Sequence, residues 1–376
     1  MPMTTAEFAA IGGTLSFVGC GQILLDAYLP IMPLLGVERV LLFDKDPDRA
    51  TFAATFLRRS REKLSGEYGH FPDYVNRIDR VRVEVATFEQ AIGARYVVVL
   101  TPPDDHLEVA LAIARSGGIA LVEKPFCIAH EEWTALPDVD RRLLTLGARY
   151  LENFVFNPAY VELREQIVSG AVGDLLQLRC FLANCGPGPD ASWRLQPRRS
   201  GGGALSDWGP HTLGLARFLV GMDRTVIDLE VLEHQVTRAG ERFGAITLAA
   251  DLDVHNLTLL SFGGRRTLGA LVETSWCASP DSSIPSGETW VEAEGTGGTA
   301  RVTLRRAAGK KIQSLQVRPW RSQHSELTLP GFPHDSFYFA VLAQLSEGAA
   351  EDPRCSVSFG VDVLKLIAQI RERAAS

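Results

Sequence analysis

Between Thr14 and Leu151, short β-branched apolar runs alternate with longer segments whose apolar residues recur at helical spacing. That alternation predicts a parallel sheet joined by crossover helices. Strands are expected at 14–18, 40–43, 81–85, 96–100, 119–122 and 148–151, and six strands with helices between them fit a doubly wound α/β fold. The pattern changes after Asn157-Pro158. A helical stretch to Ser169 and an apolar strand over 175–182 lead to runs at 226–236, 245–253, 257–262, 268–275, 289–293 and 300–304, separated by Gly and Asp turns. These predict an α+β domain with a large, mainly antiparallel open sheet. Two closing helices are expected over 335–345 and 357–371. The expected division of the chain is therefore 12–151 and 152–376. Within the first part, the charge-rich run Leu57 to Lys63 reads as a solvated helix face, followed by a loop through Gly66, Gly69 and Pro72.

Composition narrows the partners more than the fold. With 376 residues, 46% of them hydrophobic, the chain can bury two substantial cores. A net charge of -7 leaves no basic footprint for phosphate backbones or anionic lipid, so neither nucleic acid nor a membrane is an expected partner. The six cysteines lie scattered, with no C-x-x-C pair and no His grouping at zinc-ligand spacing, which predicts reduced thiols, no metal and a cytoplasmic location. The amino terminus lacks a basic leader. The longest apolar stretch, Ile23 to Val37, contains Asp26, Pro30 and Pro33 and fails as a membrane span.

Four places along the chain carry chemistry. The first strand ends in Gly19-Cys20-Gly21-Gln22-Ile23-Leu24, where the two glycines allow a tight turn and close approach of a pyrophosphate to the next helix. Leu24 stands where a third glycine would bring helix and strand together, so a tight turn with no ligand is the competing reading. Asp44, after the second strand, is placed to accept from adenosine ribose hydroxyls, which favours NAD over NADP, although the neighbouring Lys45 would offset its charge. An ordinary turn or helix cap is the alternative for Asp44.

The fourth strand leaves the sheet through Thr101-Pro102-Pro103, with Asp104 or Asp105 as the natural cap of the next helix and His106 in its first turn. Glu123-Lys124-Pro125 follows a buried strand, so these charges must face a cavity or each other. Pro125 holds Lys124 extended and is a candidate cis proline. Asp207 and His211, four apart, share a face of any continuous helix, and imidazole suits proton transfer near neutral pH. Pro210 between them either kinks that helix or lies in its first turn. The preceding Gly201-Gly202-Gly203 is, on the plainer view, a flexible approach to a packed helix.

In this order, these segments resemble the glucose-fructose oxidoreductase, inositol dehydrogenase and rhizopine-catabolism (Gfo/Idh/MocA) family of NAD(P)-dependent oxidoreductases. The resemblance also takes in Asn157-Pro158, Trp193-Arg194 and Glu294-Gly295-Thr296-Gly297-Gly298-Thr299, and it spans nearly the whole chain. It implies a dinucleotide-binding Rossmann domain over 12–151 and a substrate-binding and oligomerisation domain over 152–376, assembled as a homodimer or homotetramer through its sheet.

The family's catalytic lysine falls on Lys124 and its Asp/His pair on Asp207 and His211. Cofactor contacts are expected from Gly19, Cys20, Gly21, Gln22, Ile23, Asp44, Lys45, Thr101, Pro102, His106, Glu123 and Lys124; substrate contacts from Asn153, Trp193, Arg194 and His211. Gly214 departs from the acidic residue often found three positions after the histidine. The implied reaction is hydride transfer between nicotinamide and a secondary alcohol or ketone carbon of a carbohydrate or polyol. A redox-cycling hydrolase or lyase that retains NAD and a non-catalytic dinucleotide-sensing regulator are the competing readings. The resemblance places substrate specificity on the carboxy-terminal sheet and on loops such as Asn184 to Arg199, within which Cys185-Gly186-Pro187-Gly188-Pro189 reads as a shaped loop.

Overall fold

The computed structural model describes residues 13–376 except 185, 188–192, 244–245, 265, 277–288, 308–309, 321–323 and 330. The chain forms two compact units that interleave along the sequence. The first comprises Met1–Cys127, Trp133–Asn153 and Phe332–Ser358; the second comprises Ile128–Glu132, Phe154–Gly331 and Phe359–Ser376. The expected division after residue 151 was sequential, whereas 332–358 groups with the first unit.

In the first unit, β1 (Thr14–Val18), β2 (Arg39–Phe43), β3 (Arg82–Val85), β4 (Tyr96–Val99), β5 (Ile119–Glu123) and β6 (Ala148–Leu151) form a parallel sheet in the order β3-β2-β1-β4-β5-β6. The doubly wound expectation holds, with boundaries within a residue or so. The order reverses between β1 and β4, the switch point where open α/β sheets hold ligands. β1, β4 and β5 are almost wholly buried, because helices cover both faces of such a sheet.

The segment after Asp46 is more structured than its charge implies. Helices run Pro47–Arg59, Arg61–Tyr68 and Tyr74–Ile78, so Gly66 lies in a helix, not in a loop. Leu57, Leu64, Tyr68 and Tyr74 are buried. The two tyrosine rings stack at 5.0 Å, the Tyr68 hydroxyl donates to Pro333 O (2.9 Å) and the Tyr74 hydroxyl to Pro30 O (2.7 Å). The returning segment is fixed further where Gln344 Nε2 donates to Tyr150 O at 2.7 Å. Its helix, Asp335–Leu345, was expected from the sequence; its destination was not.

The second unit holds β7 (Leu175–Ala183), β8 (Val226–Thr237), a two-strand hairpin of β9 (Arg242–Phe243) and β10 (Ile246–Thr247), then β11 (Leu252–Phe262), β12 (Leu268–Ser275), β13 (Thr289–Gly295), β14 (Gly298–Ala307), β15 (Lys310–Pro319) and β16 (Ser325–Leu329). Apart from the hairpin they form one sheet, β16-β15-β14-β13-β7-β12-β11-β8, antiparallel except where β7 meets β12. The expected strand over 245–253 is corrected: Ile246–Thr247 pairs back on Arg242–Phe243, and a bend precedes β11. Asp251 holds that bend, accepting from Ala239 N–H at 2.8 Å and from Arg238 at 2.7 Å. Strands β11, β12 and β13 alternate buried and half-buried residues. The helices Pro158–Val168 and Gly209–Val220 pack on the buried face.

Candidate active site

In the first unit, strand register determines which residues stand side by side. Val18 pairs with Phe43 and with Val99, and Val99 pairs with Val122. The next residues therefore emerge level at the carboxyl edge: Gly19, Asp44, Leu100 and Glu123, with Thr101 and Lys124 one step beyond. Gly19 has φ +101°, and a Cβ there would stand 2.7 to 2.8 Å from Leu100 C and O and Thr101 N. Only glycine fits. At Gly21 a Cβ would meet nothing within 4 Å. The first glycine thus closes the turn on β4, while the second leaves open space of the kind a pyrophosphate needs.

Leu24 is buried and opens a π-helical turn, Leu24–Tyr28, that precedes the helix Leu29–Leu35. The wider turn accommodates Pro30, which has no N–H to donate.

Asp44 spans the turn rather than capping a helix. Its Oδ2 accepts from Cys20 N–H at 2.7 Å and its Oδ1 from Asp46 N–H at 2.8 Å, and it is Asp46 that caps the helix Pro47–Arg59. The carboxylate keeps further lone pairs for a ligand hydroxyl. Lys45 reaches Asp105 at 3.0 and 3.1 Å, and Asp105 consequently does not cap the helix His106–Arg115. His106 opens that helix, as expected, and is buried. Its Nδ1 lies 2.8 Å from Pro125 O and its Nε2 2.9 Å from Thr101 O, so both ring nitrogens face the protein's own carbonyls. Burial pulls this imidazole below its ordinary pKa against those two carbonyls, which pull it up.

Glu123 is buried too. It accepts from the Tyr28 hydroxyl at 2.5 Å through Oε1 and from Lys124 N–H at 2.9 Å through Oε2. Burial pushes its carboxyl up to about 7, opposed by Tyr28 and the Lys124 ammonium and assisted by Glu152. The Lys124-Pro125 peptide is cis. Asn153, expected at the substrate, is buried and donates through Nδ2 to Ser336 Oγ at 2.9 Å.

In the second unit the helix expected through Asp207 and His211 is broken. One helix ends at Asp207 and another begins at Gly209, which places Pro210 in the first turn of the second, where its missing N–H costs nothing. The face-sharing argument from a four-residue spacing on one helix therefore gives way to the packing around each side chain. His211 is buried and stacks on Phe154, centroids 4.2 Å apart and 19° from parallel, with Trp208 edge-on at 5.5 Å. Asp207 Oδ2 accepts from Trp276 Nε1 at 3.4 Å and lies 3.9 Å from Arg194 Nη1. Arg194 also covers the Trp193 ring at 5.4 Å, so both predicted residues belong to the surroundings of Asp207.

Sequence reasoning did not single out Tyr28, Phe154 or Trp276. An aromatic residue within an apolar run carries no sign of its partner. Asp253 did carry one, a carboxylate inside the apolar run of β11. Of the shaped loop expected at 185–189, residues 185, 188 and 189 lie outside the described residues. Among the described residues, no group of three or more His, Cys, Asp or Glu could hold a metal ion, and no helix is long and apolar enough to cross a membrane.

A parallel sheet with a glycine turn at its switch point, joined in one chain to a mostly antiparallel sheet, defines a two-domain protein of the Rossmann class. Residues 160–301 match the model of the GFO/IDH/MocA C-terminal domain. Levoglucosan dehydrogenase of Pseudarthrobacter phenanthrenivorans is 29% identical over 228 residues, 58% of this chain and 52% of that protein. The rhizopine catabolism protein MocA of Rhizobium meliloti is 33% identical over 173 residues, 45% of this chain and 52% of that protein. The chain thus spans about half the length of these two relatives. A solved structure of levoglucosan dehydrogenase, in complex with NADH and levoglucosan, superposes with a TM-score of 0.71 at 20% identity, covering 97% of each chain, and shares the fold. The chain is thus similar to proteins of the Gfo/Idh/MocA family, whose C-terminal domain model residues 160–301 match.

Proposed function

We propose that this protein transfers a hydride reversibly between a nicotinamide dinucleotide and a secondary alcohol carbon of a sugar, cyclitol or related polyol. The observation that carries the reading is the level row at the carboxyl edge of one parallel sheet: the closed turn at Gly19, the open one at Gly21, the carboxylate of Asp44 and, one step beyond Glu123, Lys124. These residues fit a dinucleotide, with the pyrophosphate over Gly21 and Gln22 and the adenosine ribose on Asp44. NAD is preferred to NADP. Asp44 repels a 2'-phosphate, and Lys45 is engaged by Asp105 instead of neutralising it.

When bound, the nicotinamide supplies the acceptor or donor of hydride. The chain's own groups do the rest. In the oxidative direction His211 removes the hydroxyl proton as the carbon loses hydride, and in reduction it returns that proton. Asp207 steadies the site's charge beside Trp276 and Arg194. Lys124 binds the reacting oxygen and offsets its developing negative charge, a preorganised effect worth about 3 kcal/mol at such sites. Tyr28 and Lys124 N–H hold Glu123 inside the fold, which gives Glu123 a supporting role for the lysine.

The relatives bear on the substrate class, since one is named for levoglucosan and another for rhizopine catabolism. Buried thiols at Cys20, Cys180 and Cys355 support a cytoplasmic location. Assembly through the half-buried face of the eight-stranded sheet, where Arg179 and Arg301 flank Glu292, completes the proposal as a homodimer or homotetramer.

The test is the nicotinamide absorbance band of purified protein given NAD with levoglucosan, myo-inositol and scyllo-inositol, or NADH with the corresponding ketones. Turnover of at least one is expected. Tight NAD binding with neither an absorbance change nor any altered sugar product across the panel would replace the enzyme by a dinucleotide sensor, whereas a cleaved product without NADH accumulation would favour the redox-cycling reading.

A further inference from the structure

The glycine run before Asp207 is not slack chain. Gly201, Gly202 and Gly203 all have positive φ, at 80°, 93° and 36°. A Cβ on Gly201 would sit 2.5 Å from Ile128 O, and one on Gly203 only 2.0 Å from Asp253 O. The strap is pressed against its neighbours and then turns into the helix Gly203–Asp207, whose preceding residue, Gly202, has no side chain to cap it. Asp253, arriving from β11, takes that role: its Oδ1 accepts from Leu205 N–H at 2.6 Å.

Arg371, 118 residues beyond Asp253 on the helix Val357–Ala375, secures the same place. Its Nη2 lies 2.9 Å from Asp253 Oδ2, 3.1 Å from Gly202 O and 2.9 Å from Ser206 Oγ. One guanidinium thereby ties the strap, the capping carboxylate and the helix that ends at Asp207. Beneath that helix, Ala204 and Trp208 pack with Leu195, Leu252, Val254 and Trp276, whose indole reaches Asp207.

We propose that Arg371, acting through Asp253, is a positioning residue that fixes where Asp207 and His211 stand. The guanidinium cancels the charge of a carboxylate that is 7% exposed, and the two Nη2 hydrogens are shared among that carboxylate, Gly202 O and Ser206 Oγ. The strap's backbone, which only glycine can follow, then has one arrangement. The catalytic part of the inference rests on the roles proposed for Asp207 and His211; the ordering of the strap does not.

The experiment compares the full chain with Arg371→Lys and with the double variant Asp253→Asn, Arg371→Gln, in which the charged pair becomes a neutral one and no buried carboxylate is stranded. Amide hydrogen exchange over residues 203–212 is expected to rise about tenfold in the double variant, with β13 and β14 unchanged. With NAD and whichever polyol of the panel is oxidised, kcat is expected to fall about tenfold while KM for NAD stays within about twofold. Arg371→Lys is expected to recover part of both, because an ammonium can donate to the same acceptors. Unchanged exchange over 203–212, or a rise spread evenly across the second unit, overturns the proposal, as does a kcat equal to that of the unsubstituted chain. If the unsubstituted chain oxidises none of the panel, the hydride reading fails, and the exchange result still decides the role of Arg371.

Discussion

The Tyr28 hydroxyl donates to Glu123 Oε1 at 2.5 Å, joining the first crossover to the end of β5 at the residue before Lys124. Both groups are buried, and burial raises the Glu123 carboxyl from 4.5 to about 7. A carboxyl with a raised pKa keeps its proton in the fold while the unfolded chain has released it. Stability is therefore greatest below pH 4.5 for this group and falls as pH rises from 4.5 to 7, by roughly 3 kcal/mol in total. Replacing Glu123 by Gln removes that slope. Urea unfolding at pH 5 and pH 8 is expected to show Glu123→Gln gaining on the native protein at the higher pH; an equal difference at both refutes the assignment.

The two glycines of the first turn should separate folding from binding. Gly19→Ala puts a methyl group within 2.8 Å of Leu100 and Thr101 at a φ of +101°, so a loss of about 2 kcal/mol or more and a Tm lower by several degrees are expected. Gly21→Ala meets no protein atom within 4 Å. Its stability is expected to change by less than about 0.5 kcal/mol, while NAD affinity, read by titration calorimetry, weakens about tenfold or more. If Gly21→Ala binds NAD as tightly as the native protein, the pyrophosphate does not lie over that turn.

How much of this was legible follows from the range of each interaction. The parallel strands could be read almost to the residue because the central ones are apolar runs closed by turns and β3, Arg-Val-Glu-Val, alternates, and the row of Gly19, Asp44 and Glu123 follows once the strands are level. β15 escaped because Gln313, a buried polar residue, interrupts its inward row of Leu315 and Val317. β16 escaped because it is exposed along most of its length and offers only Leu327 and Leu329 as an apolar signal. The return of 332–358 to the first unit has no local signal either, since Tyr68 and Pro333 are 265 positions apart. At the candidate site the residue types were readable from spacing. The contacts that orient them, Phe154 against His211 and Trp276 on Asp207, join distant segments and needed the fold.

Lys124 and His211 are assigned different tasks, and their variants should fail in the same measurable way for different reasons. Lys124→Met keeps most of the side chain's apolar length but removes the charge that stabilises the reacting oxygen. His211→Gln keeps a polar group against Phe154 but removes the titrating ring. Each is expected to lower kcat by about 100-fold or more, with NAD affinity within about threefold of native. Stopped-flow absorbance at the nicotinamide band, paired with NAD titration, checks both. Full turnover in either variant removes that residue from the mechanism.

Cofactor choice turns on Asp44 and Lys45. Asp44 holds the glycine turn through Cys20 N–H and would meet a 2'-phosphate with like charge, whereas Lys45, largely exposed, is paired to Asp105. Asp44→Ser keeps an oxygen that can accept from Cys20 N–H and removes the repulsion, so the ratio of kcat/KM for NAD to that for NADP is expected to fall about tenfold or more. Asp105→Asn weakens the partner that restrains Lys45, and its ammonium is then available to the phosphate. A smaller shift toward NADP, about threefold, is expected there, and it should fade as salt rises because the pair is exposed. If Asp44→Ser leaves the ratio unchanged, the ribose does not lie on this carboxylate, and NAD preference has to be sought elsewhere along the carboxyl edge.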